Sequence, residues 1–459
     1  MFVAKVKSEG LSHISYFVGS GNEACVIDPR RDCEEYLCIA EKKEMRIRYI
    51  FETHRNEDYA VGSSELASMT GAEIFHGGAL PFKYGQNLHD GQEFPLGDVY
   101  IKAIATPGHT YEHFCFSLFD HISGDEPIMV FTGDALFAGE VGRTDLLGEE
   151  HREKLSGALY DSLFEKILTL GMGVIVHPAH GAGSVCGGNI SDRDETTIGI
   201  ELGNNPMLSM TREEFIARKM KERIERPQYF SKMEEINLDG PPLLGRLPDP
   251  RPISVLDFRA AMKGNMTVLD VRMPHSFGGA HIGGSLSVWL EGLSQYGGYV
   301  LDYDRPILLV VENWAQVQEA VRSLIRIGYD DIPGYLRVGM DMWYRAGAPI
   351  SMSQLTTASQ VKEWIDSGMN ITLVDVRNMH ETRSGVIAGS KVINIGSLET
   401  RLEEIPRDSR VIIYCSSGYR GGLGASLLLG NDYVDVWNML GGTNAWKALG
   451  YPMVEWNQD

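Results

Sequence analysis

The chain has 459 residues, enough for roughly three domains at about 150 residues each. Apolar residues make up 43% of it and charged residues 23%, which excludes a disordered chain and leaves material for several cores. With 42 basic against 62 acidic side chains the formal charge is −20, which argues against nucleic acid or an anionic membrane as partner, since both are bound through excess Lys and Arg. No stretch approaches the roughly 18 consecutive apolar residues that span a bilayer. The first residues, MFVAKVKSEGLSHISY, lack the apolar h-region and cleavage site of a secretory signal. Six scattered cysteines (Cys25, Cys33, Cys38, Cys115, Cys186 and Cys415) include no C-x-x-C pair, so free thiols in a reducing cytoplasm are expected.

Residues 1–240 form one block. Strand-like runs YFVG, ACVID, IRYIFET, VYIKAIAT, HFCFSLF and IMVFTG dominate it, with helical stretches chiefly around 32–44, 58–69 and 150–169. This pattern predicts a mixed, largely antiparallel sandwich. Cys25, Cys33, Cys38 and Cys115 lie in these strand or helix patterns and read as packing residues. Polar spots follow three of the apolar runs: Thr53-His54, TPGHT around His109, and TGD ending at Asp134. VHPAHG, with His177 and His180, is a fourth. Strand ends converge on one point across a sheet, so these spots are either turn residues and core histidines or the parts of a metal site. His, His and Asp with open positions is the donor set of a non-haem iron(II) oxygenase, while a set richer in histidine suits zinc.

The motifs ETHRNEDY, TPGHT, FTGDALF, GRTDLL and HPAHG resemble, in this order, those of the metallo-β-lactamase superfamily, and most closely its persulfide dioxygenase branch. The resemblance implies an αββα sandwich. The first motif departs from the superfamily's H-x-H-x-D-H, reading His54-Arg55-Asn56-Glu57-Asp58-Tyr59, so two histidines are missing. A two-zinc site needs those imidazoles, and neither an amide nor a phenol substitutes well. A mononuclear iron(II) site as in the dioxygenase branch would use His54, His109 and Asp134, all present, with Asp58 and His180 as outer groups or water-holders.

The resemblance further implies oxidation of a thiol persulfide by O2 to sulfite and thiol. Arg143, in GRTDLL, is a candidate for holding the anionic tail of a thiol carrier, or else a structural ion pair. Cys186, in HGAGSVCGG, sits among glycines six residues after His180, as a sulfur-passing thiol or a buried bystander. Two alternatives stand beside the dioxygenase: a zinc thioester hydrolase resembling glyoxalase II, and a non-catalytic scaffold.

DGPPLLGRLPDPRP follows, with five prolines and two glycines, and residues 241–252 read as a linker. Beyond it the chain repeats. GNMTVLDVR returns as MNITLVDVR, IGGS as IAGS and WYRAGAPI as WKALGYPM, at offsets of 105, 105 and 103 residues. Two copies of one domain, 253–350 and 351–459, are expected, with short buried strands alternating with amphipathic helices around a parallel sheet.

In the second copy VIIYC ends at Cys415 and runs through SSGYRGG into an apolar helix. Loop amides and a helix N-terminus there lower a thiol pKa and cradle anions, and Arg420 adds positive charge toward a bound oxyanion. Cys-Ser-Ser-Gly-Tyr-Arg resembles the six-residue active loop of rhodaneses, sulfurtransferases that carry a persulfide on one cysteine. That implies Cys415 and Arg420 as catalytic residues. In the first copy Val311 aligns with Cys415 and is followed by Glu312-Asn-Trp-Ala-Gln, without thiol, cradle glycine or arginine, so this copy is expected to be an inactive rhodanese-like domain. The whole order resembles persulfide dioxygenase–rhodanese fusions. It implies glutathione or coenzyme A persulfide, sulfite or thiosulfate and O2 as small-molecule partners, and a homo-oligomer on general grounds.

Overall fold

The computed structural model describes residues 1–120, 124, 126–184, 187 and 190–456. It divides into two compact units, Met1–Arg246 with Ile325–Gly328, and Leu247–Leu324 with Tyr329–Asp459. Among the described residues no helix is long and apolar enough to cross a membrane.

In the first unit two six-stranded sheets face each other. One follows sequence order: β1 (Phe2–Ser8), β2 (His13–Ser20), β3 (Glu23–Ile27), β4 (Arg46–Phe51), β5 (Glu73–Gly77) and β6 (Gln86–Leu88). The other comprises β7 (Glu93–Leu96), β8 (Val99–Ala105), β9 (Phe114–Asp120), β10 (Met129–Gly133), β11 (Ile175–Pro178) and β12 (Thr196–Thr197). The two-residue period of a strand sorts the side chains. Ile14, Tyr16 and Val18 of β2 meet Phe114, Phe116 and Leu118 of β9 in the central core. Phe17 and Cys115 point the other way, each into a separate outer cluster. Helices Glu34–Lys42 and Ser63–Thr70 cover one outer face through Tyr36, Ala40 and Leu66. Helices Glu149–Ser162 and Arg212–Lys221 cover the other through Leu159 and Phe215.

The fold is thus the expected αββα sandwich, with two differences of detail. The first sheet is antiparallel only across β1–β3 and parallel from β3 to β6, because the two covering helices serve as crossovers between β3, β4 and β5. Helices Ile198–Asn204, Arg212–Lys221 and Phe230–Asp239 also lie beyond the expected ones. Cys25, Cys33 and Cys115 are buried, but Cys38 is exposed on its helix and is not a packing residue.

The second unit holds two five-stranded sheets of parallel strands. Strands β13 (Arg251–Ile253), β14 (Thr267–Asp270), β15 (Leu286–Ser287), β16 (Ile307–Val310) and β17 (Gly334–Leu336) lie in the order β13-β17-β16-β14-β15. Strands β18 (Gln354–Thr357), β19 (Ile371–Asp375), β20 (Lys391–Val392), β21 (Arg410–Tyr414) and β22 (Val436–Leu440) lie in the corresponding order, β18-β22-β21-β19-β20. The expected linker ends earlier than its prolines suggest, since Arg251 and Pro252 already belong to β13. That is an edge strand, where a missing amide donor is tolerated.

The repeated motifs are framework. Arg272 forks onto Asp270 and Arg377 onto Asp375, each pair with distances of 2.9, 3.1 and 2.6 Å. Trp343 and Trp446 donate their indole N–H to the carbonyls of Pro349 and Pro452 at 2.8 and 3.0 Å. The copies also pack on each other. The backbone of Gly422, in helix Tyr419–Gly430, lies against Pro274, and Ser426 Oγ takes the Ser287 amide at 3.0 Å.

One backbone feature marks how far the copies have diverged. Gly441 and Gly442 turn out of β22 with φ of +76° and +51°, and Val338 and Gly339 turn out of β17 with φ of +62° and +63°. A β-branched residue in the left-handed region is strained by roughly 1–2 kcal/mol. Val338 is 64% exposed, so little packing is forfeited by removing its side chain. Val338→Gly is therefore expected to raise stability by about 1 kcal/mol after glycine's entropic cost, read as an increase in denaturant midpoint.

Candidate metal centre and sulfur-carrying loop

Four strand ends deliver the polar spots of the first unit to one place. His54 follows β4, His109 follows β8, Asp134 follows β10 and His180 follows β11. A ligand atom from each of His54, His109 and Asp134 lies within 4.8 Å of the others, and all three residues are buried. Hydrogen bonds behind the rings fix which nitrogen faces the cluster. Thr53 Oγ1 donates to Asp28 Oδ2 at 2.8 Å, so it accepts from His54 Nδ1, also at 2.8 Å. His109 Nδ1 lies 3.0 Å from the Arg143 carbonyl, which only accepts. Both imidazoles therefore carry a proton on Nδ1 and turn Nε2 inward, where the carboxylates of Glu57 and Asp134 face it. His54 Nε2, His109 Nε2 and Asp134 Oδ2 are buried without a hydrogen-bond partner. Such groups are costly unless something positive satisfies them, so the residues fit a metal ion.

A β-bulge between Phe131 and Gly133 aims Asp134. Gly133 has φ of +51°, and a Cβ there would press on Thr53 and His113 at 2.7 Å. His113, which the sequence motifs did not single out, accepts the Asp134 amide on Nε2 at 3.2 Å and bonds Thr106 Oγ1 through Nδ1 at 2.8 Å. Burial and the neighbouring His54 and His109 keep His113 neutral, its pKa well below the usual histidine value. Asp28 and Asn237 were equally unforeseen. Asn237 holds the first-motif turn, bonding the Asn56 and Tyr59 carbonyls at 2.6 and 2.7 Å and the Val61 amide at 2.9 Å.

Asp58 and His180 stand beside this cluster. His180 reaches Asp134 Oδ1 through Nδ1 at 2.7 Å and Asp58 Oδ2 through Nε2 at 3.0 Å. Burial opposes a charge on this ring, but Asp134 and Asp58 outweigh it and raise its pKa well above the usual value. Both ring nitrogens of His180 are thus engaged by carboxylate oxygens. Tyr59 is buried, its hydroxyl 3.4 Å from the Asp28 carbonyl. His177 is elsewhere, in the core beside Tyr16 and Phe131, with burial pushing its pKa down to about 4.

In the second unit, β21 ends at Tyr414 and leads to the buried Cys415. The carbonyls of Cys415, Ser416 and Ser417 are taken by the amides of Thr443, Asn444 and Gly441 at 2.9, 3.0 and 3.1 Å. Asn438 Nδ2 takes the carbonyl of Gly418 at 3.0 Å. Because the carbonyl and amide of a trans peptide point in opposite directions, holding these carbonyls outward turns the loop amides inward. The Gly418 amide lies 3.1 Å from Cys415 Sγ. A Cβ on Gly442 would run into the Cys415 carbonyl, just as one on Gly339 would meet the Val311 carbonyl at 2.7 Å. That equivalence places Val311 where the second copy has its thiol. A cavity of about 430 Å³ lined by residues including Val311, Glu312, Val338 and Tyr344 lies there.

The metallo-β-lactamase superfamily model matches residues 9–180, and a rhodanese-like domain model matches residues 357–449. The chain is a metallo-β-lactamase domain followed by a rhodanese domain. The metallo-β-lactamase domain is homologous to the persulfide dioxygenase ETHE1 of Bos taurus and Homo sapiens, each 29% identical over 222 residues, 47% of this chain and 78% of theirs. The chain also resembles a solved metallo-β-lactamase from Staphylococcus aureus subsp. aureus COL, with a TM-score of 0.66 and 29% identity over 73% of this chain and 99% of that one. A probable hydroxyacylglutathione hydrolase, glo2 of Schizosaccharomyces pombe, is 31% identical over 26% of this chain and 46% of its own.

Three residues singled out from sequence need separate statements. In the metallo-β-lactamase domain Arg143 is buried, with its fork on Asp145 at 2.7 and 2.9 Å and further bonds to the Glu225 and Ile224 carbonyls. Of the two readings the side chain makes the structural ion pair, with Asp145. Its tie to the metal cluster is the carbonyl that holds His109. Cys186 lies outside the described residues. In the rhodanese domain Arg420 is engaged by an acid the sequence reading passed over, Glu381, at 2.5 and 2.7 Å, and Ser416 Oγ joins the same carboxylate at 2.7 Å.

Two outcomes follow. Because both His180 nitrogens are bonded to carboxylates, metal analysis of purified protein is expected to find a single ion per metallo-β-lactamase site, and His54→Ala to lose it. Burial opposes the charge on Glu381, yet Arg420 wins and pulls its pKa from 4.5 to about 2. Its ionised form therefore stabilises the fold fully above about pH 4.5, and the contribution fades as pH falls toward 2. The difference in unfolding free energy between the wild type and Glu381→Gln should be about 2–3 kcal/mol at neutral pH and shrink across that window.

Proposed function

We propose that the chain oxidises thiol persulfides with O2 at a mononuclear iron and carries sulfane sulfur on Cys415. The observation that carries the first half is the convergence of two buried, inward-turned Nε2 atoms and one carboxylate oxygen, beside a His180 whose ring nitrogens are both engaged by carboxylates. The homology to ETHE1 supports the same reading. His54, His109 and Asp134 would hold iron(II), which supplies the redox chemistry by which O2 reacts with a persulfide sulfur. The balance is RSSH + O2 + H2O giving RSH, sulfite and two protons.

The protein's own residues prepare that chemistry. Asp28 and Thr53 hold the His54 tautomer, the Arg143 carbonyl holds that of His109, and the His180 imidazolium keeps Asp134 ionised. Glutathione or coenzyme A persulfide is the substrate class expected from the resemblance.

In the rhodanese domain Cys415 Sγ attacks the outer sulfur of thiosulfate or a persulfide. The new S–S bond forms as the old one breaks, and sulfite or thiol leaves with the electron pair. Inward amides receive the sulfur's negative charge. Arg420, committed to Glu381, acts as a positioning residue that holds Ser416 and the loop through that carboxylate. The first copy, with Val311 in place of the thiol, is a rhodanese-like domain without sulfur-transfer chemistry. It provides a packing surface for helix Tyr419–Gly430, and its Trp289 ring lies 5.2 Å from that of Tyr419. Sulfite from the front domain and sulfane sulfur on Cys415 combine to thiosulfate, or the rhodanese runs in reverse and loads a thiol.

Oxygen uptake by iron-loaded protein given glutathione persulfide tests the reading. Uptake with sulfite formation is expected in the wild type, to vanish in His54→Ala and to persist in Cys415→Ser, which loses sulfur transfer to below about one-hundredth. Absence of uptake from protein confirmed to hold iron would leave the front domain a scaffold. Bound zinc with thioester hydrolysis would make it a hydrolase.

A further inference from the structure

The turn that lost two histidines carries a carboxylate that the three-ligand set does not use. Glu57 is 1% exposed. Its Oε1 lies 3.4 Å from His109 Nε2 and its Oε2 lies 3.7 Å from His54 Nε2. Asp134 Oδ2 stands 3.7 Å from the same His109 nitrogen. Glu57 therefore faces the inward nitrogens of both imidazoles at the spacing by which Asp134 faces one of them.

Two atoms that share an ion at about 2.1 Å are about 3.0 Å apart when at right angles and about 3.4 Å apart when tetrahedral. The Oε1–His109 separation of 3.4 Å already has the tetrahedral value, while the other oxygen stands 3.7 Å from His54, so the carboxylate has to move inward to join the His54–His109–Asp134 group. The turn itself is fixed. Asn237 holds its carbonyls, Asn56 Nδ2 reaches the His54 carbonyl at 3.3 Å, and the Arg55 amide is bonded to Glu112 at 3.0 Å.

We infer that Glu57 is a fourth protein ligand to the metal, completing a centre of two histidines and two carboxylates. The inference rests on the proposed reading that His54, His109 and Asp134 hold an ion. Two carboxylates balance the charge of a divalent metal, and an added oxygen donor shifts preference toward harder ions. In a six-coordinate site two positions then remain open rather than three.

The test uses the full chain. Iron(II) affinity is measured by competition with a chromophoric chelator for the wild type, Glu57→Gln and Glu57→Asp. The visible absorption of the cobalt(II) forms is recorded alongside as a readout of coordination number. Glu57→Gln is expected to weaken iron(II) binding at least tenfold and to change the intensity of the cobalt bands. Glu57→Asp, shorter by one methylene, is expected to fall between. Equal affinity and identical cobalt spectra in the wild type and Glu57→Gln would overturn the inference.

Because a variant in a buried turn can fail to fold, X-ray absorption or a crystal structure of iron-loaded wild type provides an independent reading. A Glu57 oxygen within about 2.2 Å of the ion supports the assignment, and one beyond about 3 Å overturns it while leaving the three-ligand site intact. Wild-type protein that binds no metal at all would remove the underlying reading as well.

Discussion

The first unit depends on one buried ion triplet, the His180 ring held between Asp58 and Asp134. Taking three charged groups out of water is tolerable only if each is paired and hydrogen-bonded. The geometry meets that condition at both ring nitrogens and at one oxygen of each carboxylate, by drawing on three separate places in the chain, the turn after β4 and the ends of β10 and β11. The triplet ties the two sheets together at their polar edge. It also divides the labour of Asp134, whose Oδ1 is fixed by His180 while Oδ2 is left for the ion cluster.

The second unit separates framework from chemistry. Both copies keep the Asp–Arg ion pair after the second strand, the tryptophan that clamps a proline carbonyl and the left-handed turn after the last strand. These features stabilise a parallel sheet and are indifferent to what sits at its active end. The loop after the fourth strand is not framework. In one copy its carbonyls are held by the 441–444 turn and the Gly418 amide reaches the Cys415 thiol. In the other a valine occupies the position, and a strained Val338 survives in the turn with no thiol to serve.

What was legible in the sequence follows from what kind of signal each residue leaves. His54, His109 and Asp134 each follow an apolar strand run, so their convergence was readable from strand periodicity and strand ends. The repeat, Cys415 and its missing counterpart at Val311 were readable because offset and motif survive in the chain. Asp28, His113, Asn237 and Glu381 were not, because their partners lie 7 to 181 residues away and an isolated acid among 62 acidic residues carries no mark. Helix Arg212–Lys221 was announced by a capping box, Thr211 with Glu214, yet lies after the last strand-rich segment, where the strand pattern drew attention away. Arg143 left two readings open, a carrier's anionic tail or an ion pair, because an arginine in a polar motif does not name its partner even when that partner, Asp145, sits two residues on.

The losses in the first motif have a different meaning once the packing is known. Asn56 and Tyr59, which replace imidazoles of the superfamily pattern, are both buried and both hydrogen-bonded to backbone, Asn56 to the His54 carbonyl and Tyr59 to that of Asp28. The Tyr59 ring also packs on His13 at 4.1 Å. An amide and a phenol are poor ligands but workable structural residues: each buries its body and bonds a backbone carbonyl through its N–H or O–H, while Asn56 Oδ1 stays without a partner. Their effect is to rigidify the turn that presents His54, Glu57 and Asp58. Where the superfamily pattern has two imidazoles, this turn has two residues that brace the backbone around His54. The His54–Asp28 relay through Thr53 and the Asp58–His180 bond then fix its two ends, so the side chains it presents are held in place by the protein itself.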